Sequence, residues 1–271
     1  MTETHLSENK GTLIEGYTFF GRARAGKAGG GVGIFVKDAM KQCVSPHYNN
    51  GGIELMWVPI HRSQQSPIHV GVYYGKQEGT NAEEIKEEMD KLTEEILEMK
   101  ASGEIILCMD GNAKIGLMGE TTSTNGSMLK ELFEECQLEV MNAKDICTGR
   151  ITRQNRRVDT EKSAIDFILS TYEASLWFRS MTIDEVEDLR LRNKNDSDHN
   201  TIIAELSITE IKAQNQVKSS DWNTKAAPEK WQAFRDEIQK SVPKAKEIMS
   251  NWQENMTDRY NKWEKLIYRA L

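Results

Sequence analysis

Six short runs rich in β-branched and aromatic residues recur through the first three quarters of the chain, and they constrain its fold more than any other feature. They are GVGIFVK (31–37), IELMWVPI (53–60), IHVGVYY (68–74), EIILCM (104–109), AIDFILS (164–170) and NTIIAEL (200–206). Gly, Asn, Asp or Pro bound them, as expected of strands. Few helical segments interrupt them. Residues 82–99 place Ile85, Met89, Leu92, Ile96 and Met99 on one apolar stripe. Thr80 with Glu83 reads as a capping box for that helix, and Ser102-Gly103 as its stop. A second helix is expected over 127–137 and a shorter one near 171–179. Many short strands with few helices do not fit a regular βαβαβ nucleotide fold. The expected class is α/β, with two mixed β-sheets packed face to face and helices outside, a four-layer αββα sandwich. No internal repeat is present.

The pattern changes at residue 207, where strand signals end. Trp231, Phe234, Ile238 and Val242 form one helical stripe up to Pro243, and Ala245, Met249, Trp252, Met256, Tyr260, Trp263 and Ile267 continue it. A stripe carrying Trp231, Trp252 and Trp263 calls for a cover, from the domain ahead of it or from a partner. The expected organisation is a domain over 1–207 and a helical connector or tail over 208–271.

No run approaches the ~20 apolar residues of a membrane span, and the start, MTETHLSENKG, has no apolar stretch of the signal-peptide kind. Cys43, Cys108, Cys136 and Cys147 show neither paired nor metal-ligand spacing and read as reduced thiols of an intracellular protein, nuclear or cytoplasmic and not secreted. The formal net charge is −7, which argues against wrapping nucleic acid by bulk charge. Basic residues cluster locally, however, as Arg22, Arg24 and Lys27, and again as Arg150, Arg153, Arg156 and Arg157. The field over a site can therefore be positive although the sum is negative.

Four stretches set polar, chemistry-bearing residues at strand ends: Glu3 in TETHL, Asp110 and Asn112 in MDGN, Asp166 in SAIDFIL, and Ser197, Asp198 and His199 in SDHNTI. A carboxylate inside a strand pattern, such as Asp166 between Ile165 and Phe167, is costly unless paired or metal-bound. One such Asp reads as a turn or cap. Three Asp, a Glu, an Asn and a His together point to a hard-cation site, with Mg²⁺ expected and Mn²⁺ as the substitute. No His or Cys spacing supports zinc.

The order and spacing of these stretches resemble the endonuclease/exonuclease/phosphatase family from Glu3 to about Leu206. The resemblance implies a Mg²⁺-dependent phosphodiesterase in which Glu3 ligates the metal and Asp198 lies near the metal or nucleophile. It further implies that Asp110 handles the attacking or leaving oxygen, Asn112 bonds the phosphate, and Asp166 orients His199 at the scissile phosphate. VYYGKQE is similar to the family's Tyr-x-Pro-Asn strand end, which makes Tyr74 the phosphate-contacting residue and Tyr73 its competitor, with Lys76 and Gln77 replacing Pro and Asn. EGYTFFGRARAGKAGGGVGIFVK and TGRITRQ narrow the likeness to endonucleases of non-LTR (LINE-type) retrotransposons. They bring Arg22, Arg24, Arg150, Thr152, Arg153 and Ser197 to the substrate side, with DNA as partner. A Trp-bearing helical connector fits the same polyproteins. The family's Asn-bearing first strand has no counterpart ahead of Glu3, so the domain is expected to lack it. DNA nicking is the expected activity. Abasic-site endonuclease, phospholipid or inositol phosphatase, and an impaired remnant acting through its helical tail remain the alternatives.

Overall fold

The computed structural model describes residues 1–4, 14–24, 29–45, 47–48, 52–154, 161–186, 197–208 and 228–250. The chain divides into two compact units, Met1–Gln216 and Val217–Leu271.

In the first unit the strands are β1 (Tyr17–Arg22), β2 (Val32–Lys37), β3 (His47–Tyr48), β4 (Glu54–Ile60), β5 (Ile68–Tyr74), β6 (Glu104–Asp110), β7 (Glu139–Val140), β8 (Cys147–Thr148), β9 (Arg153–Gln154), β10 (Lys162–Ser163), β11 (Asp166–Ser170), β12 (Phe178–Ile183) and β13 (Ile202–Leu206). Helices α1 (Ala82–Ser102), α2 (Thr124–Glu135) and the single turn α3 (Tyr172–Ser175) lie between them. The large sheet runs β3-β4-β5-β6-β11-β7 and is mixed, with β5 and β6 parallel and their neighbours antiparallel. A second mixed sheet runs β13-β12-β8, and β1-β2 and β9-β10 form two-stranded ribbons.

Alternation along the strands of the large sheet sends successive side chains to opposite faces. Leu55, Trp57, Tyr73, Leu107 and Phe167 face α1 and α2, where they meet Leu92, Ile96, Leu129 and Phe133. Met56, Val58, Val72 and Tyr74 face the other way, onto Val32 and Val36 of the β1-β2 ribbon. Ile106 and Ile168 do the same against Phe178 and Met181 of the second sheet. Each fully buried side chain of this size contributes roughly 1.5–3 kcal/mol. The result is the expected α/β architecture of facing mixed sheets with helices outside.

Local details differ from the sequence reading. Asn81 rather than Thr80 caps α1, its side chain accepting the Glu83 N–H at 2.8 Å, while the Thr80 hydroxyl turns back to the Gln77 carbonyl. The segment expected as a helix near 171–179 makes one turn and then becomes β12. A register shift between Phe178 and Ser180 breaks the alternation there, which hides the strand from a periodicity argument. Strand β1 also carried no clear alternation. The four cysteines are free thiols.

In the second unit α4 spans Pro228–Ser250 and passes through Pro243, which cannot donate to the Gln239 carbonyl. The side chain of Trp231, and Trp252 and Trp263 altogether, lie outside the described residues. Among those described, no helix is long and apolar enough to cross a membrane.

Candidate active site

Three adjacent strands bring the site together by register. Tyr74 at the end of β5 is level with Asp110 at the end of β6, and Asp110 is level with Asp166 at the start of β11. Beyond the strand ends the two loops stay in contact. The Gly75 N–H donates to the Asp110 carbonyl at 2.8 Å, and a Cβ on Gly75 would stand 3.0 Å from the Gly111 carbonyl oxygen. Asn112 has φ +45, a left-handed conformation that Asn tolerates. Its backbone N–H donates to Asp110 Oδ1 at 3.0 Å and its amide to the Gly75 carbonyl at 2.9 Å.

His199 arrives from the chain just ahead of β13 and bridges to Arg153 of β9. Its Nδ1 lies 3.0 and 2.9 Å from the two Asp166 carboxylate oxygens. An ionised carboxylate only accepts, so Nδ1 carries the proton and donates. Nε2 is thereby turned toward Asp110 Oδ2 at 3.9 Å and Asp198 Oδ1 at 3.8 Å. Asp198 itself is held by Arg153 Nε at 2.7 Å. Glu3 reaches the same place because its segment pairs with β2, through the Thr2–Val32 bridge and the Thr4 N–H on the Gly31 carbonyl. Its carboxylate accepts the Tyr74 hydroxyl. A cavity of about 600 Å³ opens over these groups, lined by Glu3, Gln77, Asn112, Lys114, Arg153, Lys162, Asp198 and His199 among others.

The electrostatics follow from crowding. Burial first, and then the Asp166 charge, push the Asp110 carboxyl up to about 7. Burial alone would lower the His199 imidazole. The Asp166 hydrogen bond and the Asp166, Asp110 and Asp198 charges outweigh it and raise the ring to about 9. Burial, followed by the bond to Glu3, pushes the Tyr74 phenol up to about 12. Burial disfavours the charged Asp198, yet the Arg153 bond holds its carboxyl below the usual value. Asp110, Asp166 and His199 each offer a ligand atom, all within 4.8 Å of one another. Two crowded carboxylates, one nearly fully buried, with Glu3 beside them, form an oxygen-dominated donor set that fits a hard divalent cation.

The residues singled out in the sequence separate into groups. Glu3, Tyr74, Asp110, Asn112, Asp166, Asp198 and His199 come together. Tyr74 reaches Glu3 with its hydroxyl and lines the neighbouring cavity beside Arg24, whereas Tyr73 is fully buried on the opposite face with its hydroxyl on Glu88. The Tyr74 hydroxyl is occupied by Glu3 rather than left free for a phosphate. Thr152, expected at the substrate, is instead fully buried, its hydroxyl accepting the Ile165 and Asp166 backbone N–H groups at 3.0 Å each. It anchors the entry to β11. Arg150 bonds the Leu117 carbonyl and lines a separate cavity of about 200 Å³. Arg22 and Arg24 line another of about 550 Å³ beside Tyr74, where Arg24 is paired with Glu54 and stands over the Tyr74 ring. Ser197 accepts the His199 N–H in a local turn. Lys27, Arg156 and Arg157 lie outside the described residues. Asn142 and Asn200 carried no signal beyond being polar beside strands. Asn142 bonds the Asp166 carbonyl and the Ile168 N–H, and Asn200 bonds the Ile151 carbonyl.

A family profile described as endonuclease–reverse transcriptase matches residues 68–203, half of the chain. The chain belongs to this family, a branch of the endonuclease/exonuclease/phosphatase group. No curated protein matches the sequence significantly. Solved structures share the fold. The endonuclease domain of TRAS1, a telomere-specific non-LTR retrotransposon, is 18% identical with a TM-score of 0.55, over 73% of this chain and 83% of that one. The 3′-5′ exonuclease NExo of Neisseria meningitidis is 16% identical with a TM-score of 0.60, over 76% and 88%. An AP endonuclease of Archaeoglobus fulgidus is 16% identical with a TM-score of 0.55, over 77% and 88%.

Proposed function

We propose that this chain is a metal-dependent phosphodiesterase that nicks DNA, of the kind carried by non-LTR retrotransposons. The observation that carries the reading is the Asp166–His199 pair set opposite the buried Asp110. Phosphodiester hydrolysis needs an in-line water, neutralised phosphoryl oxygens and a stabilised leaving alkoxide. Asp110, whose carboxyl is raised to about 7, is suited to take the proton of the attacking water near neutral pH. His199, kept protonated by Asp166, presents its Nε2–H to a phosphoryl or leaving oxygen. Asn112 adds a neutral donor, and Tyr74 holds the Glu3 carboxylate in position. A bound Mg²⁺ or Mn²⁺ would supply Lewis-acid charge at a phosphoryl oxygen, and Glu3 is the residue that would hold it.

The matching family and the TRAS1 likeness support DNA as substrate. The likeness to NExo and to an AP endonuclease supports a second reading, cleavage at abasic sites or strand ends. The test is nicking of supercoiled plasmid, with intact and abasic-site oligonucleotides beside it, in Mg²⁺ with and without chelator. Nicking that chelator abolishes and His199→Ala lacks is the expected result. Cleavage confined to the abasic oligonucleotide would favour the second reading. No cleavage of any of them by folded protein would overturn both.

A further inference from the structure

The loop after β6 alternates between core and cavity. Ala113 and Ile115 are buried in the helix-side cluster, which turns Asn112 and Lys114 the other way, onto the reaction cavity. The root of Lys114 is fixed on both sides. Its N–H donates to the Ser123 hydroxyl at 3.2 Å, and its carbonyl accepts the Ser123 N–H at 2.9 Å. The same hydroxyl caps α2 by accepting the Gly126 N–H. Gly126 lies so close that a Cβ there would stand 1.9 Å from the Lys114 carbonyl oxygen, a contact only glycine avoids.

The Lys114 side chain is exposed, and among the described residues no acid pairs with it. Of the other cations lining this cavity, Arg153 is committed to Asp198, while Lys162 is exposed like Lys114 and no acid among the described residues pairs with it. A lysine held at its root, with no acid paired to it among the described residues, at the edge of a cavity that handles a phosphodiester is placed to meet a further anion on the same ligand. We propose that Lys114 anchors a second phosphate subsite, taking the backbone phosphate next to the scissile one, so that the site accepts a polynucleotide strand rather than an isolated phosphate ester. This rests on the phosphodiesterase reading above.

The test is fluorescence anisotropy of a labelled DNA oligonucleotide with the full chain, in chelator and over a series of salt concentrations, for wild type, Lys114→Met and Lys114→Arg. Lys114→Met is expected to bind roughly tenfold more weakly, with the slope of log K against log salt shallower by about 1, and Lys114→Arg to keep the wild-type slope. In cleavage, the ratio of kcat/KM for the oligonucleotide to that for bis(p-nitrophenyl) phosphate should fall about tenfold in Lys114→Met. An unchanged slope, or an equal loss on both substrates, would overturn the subsite and leave Lys114 a structural anchor. Wild-type protein that binds DNA with the expected slope but never cleaves it would overturn the enzymatic reading alone.

Discussion

Thr152 offers the sharpest test of how the site is held. Its hydroxyl accepts two backbone N–H groups, Ile165 and Asp166, each at 3.0 Å, in a position with no exposed surface. Thr152→Val keeps the shape and removes the acceptor. Each buried N–H left without a partner costs about 1–3 kcal/mol, so the pair puts the loss at roughly 2–6 kcal/mol. That is a large part of an ordinary domain stability of about 5–15 kcal/mol. A loss of 3 kcal/mol would lower Tm by roughly 6–12 °C in a domain of this size. Thr152→Ser keeps the oxygen and loses one methyl, at a cost of about 1 kcal/mol. Thermal unfolding followed by circular dichroism measures all three proteins. The ordering wild type, Ser, Val is expected, with nicking falling in the Val variant because the Asp166 end of β11 loosens. If Thr152→Val unfolded with the wild type while raising KM for DNA, the hydroxyl would be a substrate contact and the anchoring argument would be wrong.

Three further outcomes follow from the geometry. In metal-free protein, histidine NMR should place the His199 titration near 9 and Asp166→Asn should bring it down toward the ordinary 6.5; a ring still titrating near 9 in that variant would show that Asp166 is not the cause. The raised His199 value contributes stability that is complete below pH 6.5 and lost as pH rises through 9, and the raised Asp110 value removes stability as pH rises from 3.8 through 7, so metal-free protein should weaken steadily over that combined range. Gly30→Ala would place a Cβ 2.4 Å from the Arg24 guanidinium at a backbone φ of +67, and denaturant unfolding should show a loss of about 1–3 kcal/mol; a variant as stable as wild type would mean that Arg24 is free to leave the Tyr74 ring.

Much of this molecule was legible in the sequence where one physical rule acted alone. The runs at 68–74 and 104–109 became β5 and β6 nearly residue for residue, because continuous apolar runs ended by Gly or Asp leave few other options. Asp166 stood out because a carboxylate within a strand needs a partner, and His199 is that partner. Rules that act between segments were hidden. Thr152 read as a substrate-side residue, since nothing in TGRITRQ shows that its hydroxyl turns inward onto two N–H groups 13 and 14 residues away. Arg24 looked free for a ligand, because Glu54, Gly30 and Tyr74 enclose it only once the ribbon has packed.

Register is the hidden rule with the most consequence. Tyr74, Asp110 and Asp166 sit on three strands, and only the pairing Tyr74–Asp110–Asp166 sets them level at one end of the sheet. A slip of one residue in β11 would turn Phe167 away from α2 and Asp166 into the helix-side core, so the apolar alternation that buries Phe167 also points Asp166 at His199. Core and site are therefore specified by the same alternation. The polar groups that flank β11, Thr152 on its entry and Asn142 on its third residue, hold that register by hydrogen bonds no hydrophobic contact could replace. Loss of either anchor would free β11 to shift. That shift would reach the His199 imidazole before it reached the core, because the imidazole is held by two contacts to one carboxylate and the core by many side chains.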